Sequence, residues 1–322
     1  AYLRFSKPWR SLEKVTADQW LRRWYGDKIY NITWRPMLIG KFGPYYREAN
    51  MAWMWARLHV RSPKLGYFAG GFQAFIDTLV EAVRSRGGKI HFNHPVQKIH
   101  QTSNDHLEIQ VAGRLSSYDR ILSTTSPALL ARMAPSLPDD YLGKLLKLKS
   151  MGAVVLILAL TQPLLTESNT YWLNIPADSP DKTQNEYPFL ALVEHTNYID
   201  RRHYAGDHII YCGDYVTPNH PYLSMDQVEL EQLFTSVLPR YNPSFSHDWI
   251  RRSWLFRANY AQPVPVINHS LNIPDLRTPL PGLYLASMSQ VYPWDRGTNY
   301  AVEIGRRVAQ LITEDGKSAT AS

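Results

Sequence analysis

Two cations stand close together in an apolar stretch near the amino terminus, where they could hold an anionic group. Arg35 and Lys41 both fall within residues 34–43. An equally simple interpretation places their long side chains at the edge of a core with the charged ends in water. Further along, Tyr292 and Trp294 precede a predicted helix and are suited to cover the face of a planar ring, although packing alone would also explain them.

The sequence lacks the motifs of several other chemistries. It contains no G-x-S-x-G turn, no H-E-x-x-H motif and no glycine-lysine phosphate loop. His91 and His94 are three residues apart on a predicted strand and its exit, so they do not share a face, and no metal site is predicted. The single Cys212 excludes an internal disulfide and favours a reducing, cytoplasmic setting. No residue stands out as a catalytic base.

The net charge and the hydropathy of the sequence indicate which kinds of ligand, nucleic acid or membrane the protein could bind. The 322 residues include 35 Lys and Arg and 28 Asp and Glu, a net charge of +7. Because the basic residues are scattered, nucleic-acid binding is not predicted, whereas the excess suits an anionic ligand or a peripheral contact with a lipid surface. The longest apolar run, residues 151–160, is about half of the ~20 residues that a membrane-spanning helix needs, so a buried strand is predicted there.

The elements that must position these residues follow from periodicity. The first 62 residues are helical in spacing and rich in tryptophan, and a further helix is predicted at 72–83 from an apolar stripe at i, i+3, i+4, i+7, i+8 and i+11. Ile90 and Phe92 then alternate as a strand, followed by a hairpin or short meander. The remaining predicted elements are strands at 151–160, 189–194, 208–215 and 282–286, a helix near 226–238 and a final helix at 298–313.

Three segments together resemble the FAD-dependent amine oxidase superfamily, in particular its protoporphyrinogen oxidase-like and phytoene desaturase-like branches. The first is Gly66-Tyr67-Phe68-Ala69-Gly70-Gly71-Phe72-Gln73 with the following helix, Gly87-Gly88 and Val96-Gln97-Lys98-Ile99. The second runs from Asp119 to Pro127. The third and most specific joins Pro281-Gly282-Leu283-Tyr284-Leu285-Ala286 to the stretch from Tyr292 to Arg307.

The resemblance implies an FAD site. It implies that Val96 contacts the adenine through its backbone, and that the last helix points its amino terminus at the pyrimidine edge of the isoalloxazine ring. Unpaired N–H groups and the positive dipole end at such a terminus favour the negative charge of reduced flavin. Arg35 and Lys41 become weak catalytic candidates that could approach the flavin. The implied cofactor-binding residues are Val96, Ser287, Trp294, Gly297, Thr298 and Asn299.

Two departures from the family pattern affect this expectation. Ala286-Ser287-Met288 stands where relatives usually have Ala-Gly-Asp or Ala-Gly-Glu, so a hydroxyl replaces a carboxylate. No G-x-G-x-x-G occurs, and Ala1 is expected to fall after the strand-turn-helix that carries it in the family. We therefore expect this polypeptide to bind FAD weakly or not at all and to be inactive, and the full-length protein to bind FAD.

The predicted fold class is α/β in a mixed α+β arrangement: a truncated FAD/NAD(P)-binding domain with a sheet-plus-helices substrate domain. The predicted function is transfer of a hydride equivalent from an apolar or conjugated small molecule to flavin. One alternative is a flavin-dependent sugar-nucleotide mutase, which the stretch from Tyr292 to Gly297 also resembles; another is a non-catalytic remnant of the fold. The predicted segments are 1–62 (helical substrate lobe), 63–144 (FAD domain), 145–270 (substrate-binding sheet domain), 271–313 (FAD domain) and 314–322 (disordered tail).

Overall fold

The computed structural model describes residues 2–60, 64–102, 106–166 and 170–320. Its helices, in chain order, are α1 (Tyr2–Phe5), α2 (Trp9–Leu12), α3 (Ala17–Ile29), α4 (Arg35–Phe42), α5 (Met51–His59), α6 (Gly71–Arg84), α7 (Pro127–Met133), α8 (Asp139–Lys147), α9 (Gln227–Thr235) and α10 (Thr298–Thr320). Its strands are β1 (Val96–Gln101), β2 (Leu107–Val111), β3 (Arg114–Tyr118), β4 (Ile121–Ser123), β5 (Ser150–Leu160), β6 (Trp172–Asn174), β7 (Ala191–Glu194), β8 (His208–Val216), β9 (Ile250–Pro263) and β10 (Leu283–Leu285). This mixture of helices and sheets confirms the predicted fold class.

The chain divides into two compact units. Unit 1 consists of Ala1–Ser6, Ala56–Leu148 and Ser270–Ser322, and unit 2 consists of Lys7–Trp55 and Lys149–His269. Among the described helices, none is long and apolar enough to span a bilayer.

Unit 2 is built on a five-stranded antiparallel sheet in the order β6-β7-β8-β5-β9. The predicted strands at 151–160, 189–194 and 208–215 are confirmed as β5, β7 and β8, and the helix near 226–238 as α9. One face of the sheet forms the core of the unit, where Leu156 and Leu158 of β5 and Cys212 of β8 pack with Leu230 and Phe234 of α9. The alternation of buried and half-buried residues along β5 and β8 reflects this one-sided core.

Unit 1 contains two small sheets. β1, β2 and β3 form an antiparallel sheet, while β4 and β10 form a parallel pair. Ile99, Leu107 and Leu285 are buried in the same cluster as residues of α7 and α8. α10 covers β10 from another side, since Val308 is buried together with Tyr284.

The carboxyl-terminal helix is longer than predicted. Residues 314–320 continue α10, which corrects the expected disordered tail over that range; residues 321 and 322 lie outside the described part of the chain. The cause is a set of contacts to Asp315. Its carboxylate accepts two hydrogen bonds from Arg277 at 2.7 and 2.9 Å and one from the Tyr284 hydroxyl at 2.6 Å, which holds the last turns on β10.

One predicted strand is wrong. Ile90 and Phe92 belong to no strand, and the side chain of Phe92 is 65% exposed. The alternation is present in the sequence, but a strand also requires a neighbour for its backbone N–H and C=O groups, and no described strand supplies one. The preceding helix is confirmed as α6, although none of its residues is buried.

Candidate functional site

The parallel pair in unit 1 creates an edge at which two strands end together. β10 pairs with β4 in the register Leu283 with Ile121 and Leu285 with Ser123. One residue after β10, the Ala286 N–H donates to the Ser123 carbonyl at 3.0 Å. The two segments that follow β4 and β10 therefore leave the sheet side by side. Ligands of parallel α/β sheets bind outside this carboxyl edge. We call it the β4–β10 edge.

The direction of α10 points its amino terminus towards the same end of the β4–β10 pair. At the opposite end of the helix, the Asp315 carbonyl accepts a hydrogen bond of 3.1 Å from Arg120, which directly precedes β4. Since Val308 packs on Tyr284 in between, α10 runs antiparallel to β10. The first N–H groups of the helix, including those of Thr298 and Asn299, have no partner within the helix. They carry the positive end of the helix dipole.

The contacts of Asp315 give a first testable prediction. The hydrogen bonds from Arg277 and Tyr284 lower the pKa of the Asp315 carboxyl to about 2. A lowered pKa in the folded state means that the stabilisation is complete above the unfolded value of about 4 and is lost as the pH falls towards 2. We expect Asp315→Asn to lower the melting temperature by up to about 3 °C near pH 7, because the pair is partly exposed. Circular dichroism melts should show this difference shrinking below pH 4; parallel curves for the two proteins would contradict it.

Ser287 supplies a buried hydroxyl directly after β10. It is 6% exposed, and its side chain faces the Gln290 N–H in a capping box; outside this turn its Oγ has no hydrogen-bond partner among the described residues. The turn that carries it is well fixed: the Ser287 N–H donates to Gln290 Oε1 at 2.7 Å, and Gln290 Nε2 donates to the Leu285 carbonyl at 2.9 Å. The hydroxyl proton has no acceptor among the described residues, so this group can donate to a ligand oxygen at the β4–β10 edge.

The loop between β10 and α10 holds the other predicted residues of this region. Trp294 is half-buried and stacks on Tyr300 with centroids 6.2 Å apart and on His59 at 6.4 Å. These contacts favour the packing interpretation for Trp294. Gly297 directly precedes α10, and a Cβ there would lie 2.9 Å from Asn299 Oδ1, the end of a side chain that can move away.

Val96 lies apart from those five residues. It begins β1 on the other sheet of unit 1 and is half-buried against the cluster that includes Leu283 and Leu285. Five of the predicted residues lie in the connection from β10 to α10 or at the start of that helix, namely Ser287, Trp294, Gly297, Thr298 and Asn299, whereas Val96 lies on β1 and packs near Leu283 and Leu285. The cofactor roles of all six stay predictions.

The two candidate cations are in unit 2 and do not form one site. Lys41 Nζ lies 3.2 Å from the Tyr215 hydroxyl and 4.3 Å from the centroid of its ring. Arg35 stands six residues earlier, at the start of α4. Six residues correspond to a rotation of about 600°, so the two side chains leave the helix about 120° apart. A catalytic role for either residue stays a prediction.

The second face of the unit 2 sheet carries a surface that the sequence did not reveal. Residues directly opposite one another in antiparallel strands point to the same face, so the register defines rows across the sheet. One row consists of Trp172, Val193, Tyr211, Ile157 and Trp254. The next consists of Asn174, Ala191, Gly213, Val155 and Phe256. We call these two rows the platform.

The platform has an uneven profile. Its second row has small residues in the middle, Ala191 and Gly213, beside the larger Tyr211 and Trp254 of the first row. At the β9 end it is open, with Trp254 37% and Phe256 57% exposed. The small residues form a depression across the strands, here called the trough, whose part on β7 is buried, with Ala191 9% and Val193 5% exposed. A third row beside it contains Tyr215, whose ring meets Lys41.

α4 packs on the same face next to the platform. A Cβ at Gly40 would overlap Leu190, so the glycine allows the helix to approach the sheet closely. The alternation of Trp254 and Phe256 was the one available signal for β9. Leu255 between them is also apolar, so the sequence shows no alternation of apolar and polar residues there. This strand was therefore not predicted.

Two further features lie elsewhere. An open cavity of about 540 Å³ is lined by His106, Ser117, Tyr118, Asp119 and Arg120, at the amino end of β4 and so away from the β4–β10 edge. Over the described ranges, no three His, Cys, Asp or Glu side chains are grouped so as to hold a metal ion.

Comparison with known proteins assigns the sequence to a family. The model of the flavin containing amine oxidoreductases matches residues 27–313. The chain belongs to this family. The proteins of this family are flavin oxidoreductases, and FAD is the cofactor that the family binds. No curated protein matched the sequence.

Solved structures share the fold of this chain at low sequence identity. A protein from Exiguobacterium sp. 255-15, provisionally assigned as a protoporphyrinogen oxidase, is 15% identical with a TM-score of 0.71 over 93% of this chain and 67% of its own. Cyclohexylamine oxidase from Brevibacterium oxydans IH-35A is 13% identical, with a TM-score of 0.63 over 98% and 72%. Reduced UDP-galactopyranose mutase is 17% identical, with a TM-score of 0.59 over 80% and 57%. The chain thus spans between 57% and 72% of these three proteins.

Proposed function

We propose that the protein is an FAD-dependent oxidoreductase that removes a hydride equivalent from an apolar or extended conjugated small molecule. The platform of unit 2 carries this proposal. Its ten residues include no charged side chain, and five strands about 4.8 Å apart give rows about 19 Å long. Such a surface suits a long or flat apolar molecule better than a small polar amine.

Unit 1 supplies the groups that would hold FAD. The cofactor, when bound, accepts the hydride equivalent. In this proposal the Ser287 hydroxyl donates to a ribityl or phosphate oxygen, and the amino terminus of α10 stabilises negative charge on the ring system, which the buried hydroxyl proton without an acceptor and the dipole of the helix support. These groups fit one part of FAD. The glycine-rich phosphate turn of the family is absent from the sequence, so we expect this chain alone to bind FAD more weakly than micromolar in a flavin fluorescence titration.

If the platform binds the substrate, a larger side chain in its trough should weaken substrate binding. Gly213 lies on the floor of the second row, and a Cβ there meets only Val155 Cγ2, at 3.8 Å. We expect Gly213→Val to weaken binding of a conjugated polyene at least about tenfold, because the new side chain occupies the trough. Fluorescence quenching by the polyene measures the affinity, with Gly143→Ala as the control at an open position on α8. Unchanged affinity in a folded Gly213→Val variant would contradict the platform as the substrate surface.

The reaction itself is tested by a spectral screen of the natural full-length protein. Its flavin is mixed anaerobically with amines, porphyrinogens and polyene precursors, and bleaching of the oxidised flavin spectrum reports reduction. Bleaching by apolar or conjugated compounds is the expected result. Bleaching only by small polar amines would overturn the proposed substrate class, and failure of the full-length protein to hold flavin would favour the non-catalytic alternative.

A flavin-dependent sugar-nucleotide mutase is the second candidate. The fold is shared with UDP-galactopyranose mutase, and the net charge of +7 suits a nucleotide diphosphate. Turnover of a sugar nucleotide that requires pre-reduced flavin and consumes no reductant would favour this alternative.

A further inference from the structure

An arginine borders the platform at the open β9 end of the sheet. Arg252 stands two residues before Trp254 on β9, so both side chains leave the strand on the same face. The register continues the row of Arg252 through Ala159 of β5 to Ile209 of β8. Arg252 Cζ lies 5.7 Å from the centroid of the Trp254 ring, within the range of a cation–π contact. The guanidinium group therefore lies against the first row of the platform.

The charge of Arg252 is not neutralised by a neighbouring carboxylate. The preceding residue, Arg251, has such a partner, since its guanidinium lies 3.2 Å from Asp207 Oδ1. Among the residues that the structure describes, Arg252 forms no ion pair, and the rows from Arg252 to Phe256 contain no Asp or Glu. An exposed cation thus stands beside an apolar surface without an acidic residue in its rows.

The burial of the platform indicates how an apolar ligand would lie on it. Ala191 and Val193 on β7 are buried, whereas Trp254, Phe256 and Arg252 on β9 are exposed. A ligand therefore reaches the trough from the β9 side. Its apolar part gains most where surface is covered, and a charged group loses least hydration at the open end. A charged end of the ligand would accordingly stay near Arg252.

We propose that Arg252 binds a carboxylate at one end of the apolar molecule that lies on the platform. The planar guanidinium can donate two parallel hydrogen bonds to the two oxygens of a carboxylate. The inference rests on the proposed function, because the platform must first bind the substrate. It narrows the substrate class to long or conjugated apolar acids, and it makes Arg252 a residue that determines specificity.

Lys41 is a second cation on this face and is less well placed. Its Nζ lies 3.2 Å from the Tyr215 hydroxyl, and the side chain is half-buried. A carboxylate bound there would have to compete with the Tyr215 hydroxyl for the ammonium group and would lose more of its hydration. Arg252 is exposed and would keep its contact with the Trp254 ring while its N–H groups bind the acid.

The test compares two polyenes that differ only in their end group, all-trans-retinoic acid and all-trans-retinol. Fluorescence quenching near pH 7 gives the affinity of each for the wild-type chain, Arg252→Gln, Arg252→Lys and the matched control Arg251→Gln. The acid preference is the ratio of the two dissociation constants for one protein, so a partial loss of folded protein affects both ligands alike. We expect Arg252→Gln to lower the acid preference at least about fivefold, Arg252→Lys to keep part of it, and Arg251→Gln to keep all of it.

Three results would overturn the role of Arg252. The acid preference could be unchanged in Arg252→Gln, or it could fall equally in Arg251→Gln, which would indicate a general attraction by the net charge of +7. Equal weakening of both retinoids by Arg252→Gln would show that the side chain only packs on Trp254. Failure of the proposed function looks different: neither retinoid binds, or Gly213→Val leaves both affinities unchanged, and the inference then fails with it.

Discussion

Replacing Lys182 by methionine is expected to destabilise unit 2 by about 3–5 kcal/mol, the cost of leaving one buried charge without its partner. Lys182 Nζ lies 2.8 Å from Asp214 Oδ1, and the two side chains are 8% and 0% exposed. Asp214 belongs to β8 on the core face of the sheet. Methionine has similar length and apolar character, so the variant removes the charge with little change in volume.

The pH dependence of this variant follows from the pKa of Asp214. Burial raises that pKa to about 6, although Lys182 opposes the shift. A raised pKa means that the folded state favours the neutral acid: stability from this group is present below about pH 4 and is lost as the pH rises through 6. Without Lys182 the pKa rises further, so the deficit of Lys182→Met is expected to be large near pH 7 and small near pH 4.

Urea unfolding followed by circular dichroism measures these differences. The matched control is Lys182→Met combined with Asp214→Leu, which removes both charges and is expected to recover most of the lost stability, since apolar replacements of buried pairs are often neutral. A loss below about 1 kcal/mol for the single variant near pH 7, or the same deficit near pH 4, would show that Asp214 is not held as a buried ion.

Sequence alone predicted the elements whose signals are local. β5 is one unbroken apolar run, α6 has a regular stripe, and the connection that carries Ser287, Gly297 and Thr298 is contiguous, so each can be recognised without knowledge of the rest of the fold. The family resemblance depended on the same contiguity. The flavin containing amine oxidoreductase model, which matches residues 27–313, agrees with it.

The features that sequence analysis missed depend on partners far along the chain. The platform exists only because β6, β7, β8, β5 and β9 pair in one register, which places Gly213 beside Val155 and Val155 beside Phe256. The ordered end of α10 depends on Arg277, which is 38 residues away from Asp315 in sequence. In the opposite direction, the alternation of Ile90 and Phe92 predicted a strand that finds no partner. A local sequence pattern shows which secondary structure a segment is suited to form. Whether the segment forms it depends on a pairing partner elsewhere in the chain.

The register that creates the platform should be sensitive to one glycine. Gly152 lies at an irregularity between β5 and β9, where a Cβ would approach the Ala258 carbonyl oxygen to 2.7 Å and the Val216 carbonyl oxygen to 3.5 Å. Both neighbours are backbone atoms, so no rotamer change relieves the overlap. We expect Gly152→Ala to cost about 2–3 kcal/mol, because the strands must move apart.

Gly213→Ala is the matched control for this prediction. It makes the same substitution on the adjacent strand, where the nearest atom to the new Cβ is Val155 Cγ2 at an ordinary contact distance of 3.8 Å. The general effect of exchanging glycine for alanine on the unfolded chain, about 0.4–1 kcal/mol, is therefore common to both variants and cancels in the comparison. Urea unfolding should separate the two variants by at least about 2 kcal/mol. Equal stabilities would mean that β5 and β9 are not pinned at Gly152, and the rows of the platform, which depend on the same pairing, would then not be fixed either.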